Sequence, residues 1–199
     1  MFKYQDHYFK KAQEQGYKAR SAFKLEEIQA KFHIFDKTTR NILDIGCAPG
    51  SWMQYAVAQS ESNKIKSYKI IGFDILDIKV KLPNVFTYKQ DITDQSKVNE
   101  IIKQNGIEKF DLIQSDMAPF TIGVKDVDAI RSFGLIEQTL RIYDQYLKPD
   151  SKFVIKLFMG PGFDSFVLDM KKKYGGTKIK LFKPQSSRKE SKEIFIIKI

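Results

Sequence analysis

Strand-like apolar runs alternate with helix-period segments through most of this chain, and that alternation restricts the fold more than any other feature. Strands are expected at 41 to 45, 68 to 74, 85 to 88, 110 to 115 and 152 to 157, with helices at 51 to 60, 95 to 104, 127 to 147 and 163 to 174. Such an order predicts an α/β domain with a mostly parallel sheet. Two further strands, 177 to 182 and 193 to 198, are joined only by the polar segment KPQSSRKESK, too short for a parallel crossover. They therefore read as an antiparallel hairpin closing a seven-stranded sheet. Ahead of the first strand, helices at 4 to 15 and 20 to 31 carry Lys10, Lys11, Lys18, Arg20, Lys24 and Lys31. Residues 1 to 35 read as a basic helical extension of a single domain spanning 1 to 199.

The 199 residues, 42% of them hydrophobic, suffice for one core and are few for two. A formal charge of +10 favours a polyanionic partner, RNA or an anionic membrane, and does not choose between them. Cys47 is the sole cysteine and His7 and His33 the sole histidines, which leaves no intrachain disulfide and no Cys/His metal cluster. The N-terminal residues lack the apolar core of a secretory signal, no later stretch approaches a membrane span, and Asp6 and Glu14 interrupt any acid-poor presequence. A cytoplasmic protein is the expectation.

In NILDIGCAPGSW, an apolar strand ending at Asp44 enters a glycine turn that opens a helix, the place where an α/β sheet holds a ligand. Gly46 and Gly50 allow close backbone approach, and Pro49 stiffens the turn. The spacing is not the G-x-G-x-x-G that seats a pyrophosphate, which disfavours a nicotinamide cofactor. Two later strands also end in acids, Asp74 and Asp91, on the same sheet edge. Either alone reads equally well as a cap for the next helix. Together with the glycine turn they suit a nucleoside, Asp74 accepting from ribose hydroxyls and Asp91 from an adenine amino group.

Five segments, RSAFKL, DIGCAPGSW, SDMAP, FVIKLFMGPGF and SSRKESKE, together resemble the FtsJ/RrmJ family of S-adenosylmethionine-dependent ribose 2′-O-methyltransferases, from about Gly16 to the last residue. The resemblance implies a Rossmann-like methyltransferase fold and a Lys-Asp-Lys-Glu tetrad at Lys24, Asp116, Lys156 and Glu193. It also implies that Gly50, Trp52, Asp74 and Asp91 line the S-adenosylmethionine site, with Asp116 facing the methionine end; Trp52 reads equally well as a core aromatic. Cys47 and Ser51 replace small residues of the usual loop. After SDMAP, Phe120-Thr121-Ile122-Gly123 stands where bacterial relatives are more polar, a departure that bears on RNA specificity.

A ribose hydroxyl is a poor nucleophile at neutral pH. In-line alignment can contribute about 7 to 11 kcal/mol in ideal cases and a general base about 10² to 10⁴ in rate. Lys156 is the residue expected on the hydroxyl, as a neutral base or as a charged stabiliser of the developing oxyanion. Both roles remain open at this stage. A C5-pyrimidine methyltransferase needs a thiol outside the cofactor loop, and an amino-group methyltransferase usually carries Asn/Asp-Pro-Pro-aromatic where this chain has Asp116-Met117-Ala118-Pro119.

The implied partner is RNA, bound through basic residues of the N-terminal helices and of the segment from Lys171 to Lys192. Resemblance to the compact members implies a uridine ribose of large-subunit ribosomal RNA. The rivals are a tRNA anticodon loop and a non-catalytic RNA-binding or ribosome-assembly role. No dimerisation element is evident, so a monomer without metal is expected.

Overall fold

A computed structural model of the protein describes residues 7–199. Helices α1 (His7–Glu14) and α2 (Ala22–Phe32) precede β1 (Asn41–Ile45), α3 (Ser51–Ser62), β2 (Lys69–Asp74) and β3 (Val85–Lys89). There follow α4 (Gln95–Gln104), β4 (Phe110–Ser115), α5 (Lys125–Tyr146), β5 (Leu147–Phe158), α6 (Phe163–Tyr174), β6 (Ile179–Phe182) and β7 (Glu193–Lys198). Residues 4 to 6 of the expected first helix lie outside the described residues.

The seven strands form one sheet in the order β3-β2-β1-β4-β5-β7-β6. β3, β2, β1, β4 and β5 are parallel neighbours, while β7 runs antiparallel to both β5 and β6. The antiparallel hairpin is therefore present, with a difference from a simple closing hairpin. Its second strand is inserted beside β5, and β6 takes the edge.

Side chains alternate between faces along each strand, and both faces are covered. Leu43 and Ile45 of β1, Ile113 of β4 and Ile155 of β5 join Ile101 and Ile102 of α4, Phe133 and Tyr143 of α5 and Phe166 of α6 in one apolar layer. Ile42, Leu112, Val154 and Phe195 point the other way, into a layer with Leu25 and Ile28 of α2 and Met53 and Ala56 of α3. Covering both faces explains why the strand sequences are near-continuously apolar. Burying each large side chain stabilises by roughly 1.5–3 kcal/mol, so truncating a wholly buried residue such as Leu43 to Ala costs about 2–5 kcal/mol.

Helix ends follow local chemistry. Asp94 caps α4 by accepting from Lys97 N–H at 3.1 Å, and His33 closes α2 in the left-handed region, φ 50°, donating its N–H to the Gln29 carbonyl. β5 starts five residues before the expected strand, because Leu147 pairs with Phe110 before the register slips to Leu112 with Lys152. Ser151 fastens that irregular stretch: its hydroxyl donates to the Phe110 carbonyl at 2.6 Å and accepts from Lys148 N–H at 3.1 Å.

Candidate active site

Because β1 to β5 are parallel, their carboxyl ends share one edge of the sheet. The reversed β7 brings its first residue to that same edge, with Glu193 opposite Phe158. Lys24 comes from α2, Asp116 directly follows β4 and Lys156 lies near the end of β5. Residues far apart in sequence thus meet at one end of one sheet face.

They form a chain of alternating charge. Lys24 Nζ donates to Glu193 Oε2 at 2.8 Å and lies 4.0 Å from Asp116 Oδ1. Lys156 Nζ lies 2.9 Å from the same Oδ1. That approach is an ion pair without hydrogen-bond alignment, since the aligned bond from Lys156 goes to the main-chain carbonyl of Asp116. The four side chains retain only 10–17% of their exposure. Two ammonium and two carboxylate groups offset each other there, which meets much of the cost of taking them from water.

Asp116 also forms the wall of a second space, a cavity of about 790 Å³. Its other walls include Gly46, Asp74, Leu76, Asp91 and Met117, with Leu135 and Gln138 of α5; Lys24, Lys156 and Glu193 do not line it. Gly46 has φ 73°, and a side chain there would come within 2.8 Å of the Met117 backbone, so glycine is required for the two loops to close on each other. Asp74 is held by its surroundings: Oδ2 accepts from Ala48 N–H at 2.8 Å and Oδ1 from Leu76 N–H at 2.9 Å. Asp91 Oδ1 accepts from the Thr93 N–H at 2.8 Å and the Thr93 hydroxyl at 2.7 Å. Both acids cap their loops, and each carboxylate retains lone pairs for a ligand.

Three other candidates lie off this wall. Asp44 shares the sheet face of Ile42, is wholly buried, and accepts from Gln114 Nε2 at 3.1 Å. Burial pushes its pKa up to about 8, opposed by the Gln114 bond and reinforced by the charges of Asp116 and Asp74. A proton there removes a buried charge beside two unpaired acceptors, Asp44 Oδ1 and Gln114 Oε1. Gly50, at φ 112°, starts α3 with its missing side chain turned towards Val80. Trp52 is 2% exposed; its ring packs near Phe195 and its Nε1–H donates to the Ser21 carbonyl at 2.8 Å. It ties α3 to the start of α2 and to β7, and so holds two elements that carry the charged cluster.

Sequence reasoning missed several contributors. Leu76 and Gln138 line the cavity without any motif signal, Met117 lines it from within SDMAP without having been given a role, and Ser21 and Ser51 share a hydrogen bond of 2.8 Å between α2 and α3. The two basic segments are also joined. Arg20 donates to the Ser186 carbonyl, while Glu27 accepts from Gln185 N–H at 2.6 Å and Ser186 N–H at 2.8 Å.

Residues 17–199 match the family model described as FtsJ-like methyltransferase. The chain belongs to this family. Its relatives include ribosomal RNA large subunit methyltransferase E of Desulfatibacillum aliphaticivorans, 42% identical over 98% of this chain and 89% of that protein. The protein of the same name from Bdellovibrio bacteriovorus is 40% identical over 96% and 94%. A Plasmodium falciparum crystal structure whose given name is ribosomal RNA methyltransferase superposes with a TM-score of 0.73 at 29% identity, covering 92% of this chain and 97% of that one. An FtsJ-like methyltransferase takes its methyl group from S-adenosylmethionine, and the cavity fits that donor. Its walls combine apolar side chains with three carboxylates, Asp74, Asp91 and Asp116, suited to a nucleoside carrying a positively charged sulfur. Among the described residues no cluster of His, Cys, Asp or Glu suits a metal ion, and no helix is long and apolar enough to cross a membrane.

Proposed function

We propose that the protein methylates a ribose 2′-hydroxyl of large-subunit ribosomal RNA, a uridine ribose, as a cytoplasmic monomer in which the whole chain acts as one catalytic unit. The observation that carries the reading is the shared wall. Asp116 belongs at once to the charged cluster and to the cofactor cavity, so a hydroxyl held by the cluster faces the donor's methyl group.

S-adenosylmethionine supplies, when bound, an electrophilic methyl group on a positively charged sulfur. Asp74 and Asp91 hold the nucleoside end through carboxylate oxygens already fixed by backbone N–H groups. On the other side of Asp116, Lys156 engages the attacking oxygen and stabilises the charge that develops as its proton passes to solvent water. Lys24, fixed by Glu193 at 2.8 Å, braces Asp116 from the opposite side. Alignment of the hydroxyl carries more of the rate than proton removal. Arg20, which feels the charges of both Arg188 and Glu193, and Lys192, next to Glu193 in the chain, bind phosphates beside the cluster, which makes RNA affinity steeply salt-dependent.

The test is transfer of labelled methyl to unmodified large ribosomal subunits and to bulk tRNA, by wild type and Lys156→Ala, with the modified ribose mapped. Label in the large subunit, lost in the variant, is expected. Label confined to tRNA moves the substrate. Cofactor binding without transfer to either RNA returns the protein to a non-catalytic RNA-binding role.

A further inference from the structure

Four residues beyond Asp116 the chain presents Phe120, 80% exposed and among the residues lining the cofactor cavity. Single exposed apolar residues are common on protein surfaces and need no function. This one sits in a loop constructed to hold it out. Asp128, itself only 7% exposed at the start of α5, accepts from Ile122 N–H at 2.9 Å through Oδ1 and from Gly123 N–H at 3.1 Å through Oδ2. Arg131, another residue of the cavity wall, lies with Nη1 at 3.5 Å from the Phe120 carbonyl. Gly123 supplies the left-handed turn, φ 84°, that lets both N–H groups face one carboxylate. A buried carboxylate is thus committed to fixing a loop whose outermost side chain is an aromatic ring.

Resting on the function proposed above, we infer that Phe120 is the platform on which the base of the target nucleotide stacks while its ribose occupies the charged cluster. Reach permits it: four extended residues span at most about 14 Å, and Asp116 is the carboxylate against which the hydroxyl is held. RNA readers commonly hold splayed, unstacked bases against aromatic side chains. The adenine of the cofactor is the other flat ring within range. Its recognition is assigned to Asp91, on a different element from Phe120, with its carboxylate already fixed by Thr93. A phenyl face accepts any base, so Phe120 selects for a nucleotide that can leave its stack and not for base identity.

The experiment compares Phe120→Ala, Phe120→Leu and Phe120→Trp in methyl transfer to unmodified large subunits, alongside S-adenosylmethionine binding by calorimetry. Ala and Leu are expected to raise the KM for RNA by about tenfold, the range of one lost base–aromatic stack. Trp should recover most of that loss, and in Ala and Leu the RNA KM should move more than the cofactor affinity, because the ring stands 80% exposed on the cavity wall. Full activity of Leu would reduce the ring to apolar bulk and overturn the proposal. So would a weakened cofactor with an unchanged RNA KM, which would assign the ring to adenine, or three variants indistinguishable from wild type. Should the wild type bind cofactor yet methylate no RNA, the proposed function fails separately. Retention of single-stranded RNA oligonucleotides by the same variants then decides the stack: weaker binding by Ala and Leu supports it, and equal binding rejects it.

Discussion

The two spaces on either side of Asp116 are built by different means. The cofactor cavity is shaped by loops at strand ends, and its acids Asp74 and Asp91 are held by N–H groups within 26 residues in sequence. The charged cluster is held mainly by charged side chains from distant parts of the chain, joining Lys24 to Glu193 across 169 residues. Local backbone geometry survives the loss of a side chain, whereas a chain of buried paired charges does not. Changes in the cavity should therefore appear as altered affinity, and changes in the cluster as lost turnover and lost stability.

Lys156→Ala tests the distinction most severely. Transfer should fall by at least about 10²-fold, the lower end of what one oxyanion-stabilising donor contributes, while S-adenosylmethionine titration gives a nearly unchanged dissociation constant. Lys24→Ala comes next, because it leaves Glu193 nearly buried without its 2.8 Å partner. A loss of about 3 kcal/mol is expected, read by denaturant unfolding. Glu193→Gln in the same chain should return part of it, and strict additivity of the two changes would contradict the pairing of Lys24 with Glu193.

Asp91→Ala belongs to the other side. It should weaken cofactor binding about tenfold, the worth of a hydrogen bond to a charged group, with turnover at saturating cofactor retained. A collapse of turnover at saturation would erase the contrast between the two spaces. Asp44→Asn should be milder at neutral pH and is diagnostic through its pH dependence. Below about pH 4 both folded and unfolded states hold the Asp44 proton. Between there and its folded value of about 8, only the folded state does, so this group makes stability fall as pH rises. The variant should lose that slope, and its melting temperature relative to wild type should rise between pH 5 and pH 8. Trp52→Phe keeps most of the packing and removes only the bond to the Ser21 carbonyl. About 1 kcal/mol of stability is expected to go, seen as a small drop in melting temperature.

What could be read from the chain follows the same division. The strands at 41 to 45, 110 to 115 and 193 to 198 and the helices at 95 to 104 and 163 to 174 coincide with β1, β4, β7, α4 and α6. The strands stand out as short, near-continuous apolar runs, and the helices have punctuation beside them, Asp94 before α4 and Gly162 and Gly175 at the ends of α6. The early start of β5 was hidden because Lys148, Pro149 and Asp150 carry no strand pattern, and only pairing with Phe110 draws that stretch into the sheet. Among the candidate site residues, those at strand ends could be placed from the edge rule alone, and Gly46, Asp74, Asp91 and Asp116 share the cavity wall. Asp44, one position inside its strand, is turned beneath the loop by the pleat. Trp52 is tied up by a carbonyl on α2, a contact with no local signature. Which strand neighbours which is a tertiary choice, and the trace in the sequence of β7's interior position is the unbroken run Ile194-Phe195-Ile196-Ile197, against the lysine-interrupted β6 at the edge.

That interior position bears on when the molecule can begin to work. β6 emerges before β7, yet the neighbour that joins it to β5 is the later strand. Until those residues arrive, β5 has an unfilled edge, β6 has nothing to pair with, and Lys24 lacks its carboxylate partner. Completion of the sheet and completion of the charged cluster are the same event. A polypeptide interrupted before residue 193 would lack both Glu193 and the wholly buried Phe195, Ile196 and Ile197 that β7 adds to the two apolar layers, so a partly synthesised copy is incapable of marking RNA.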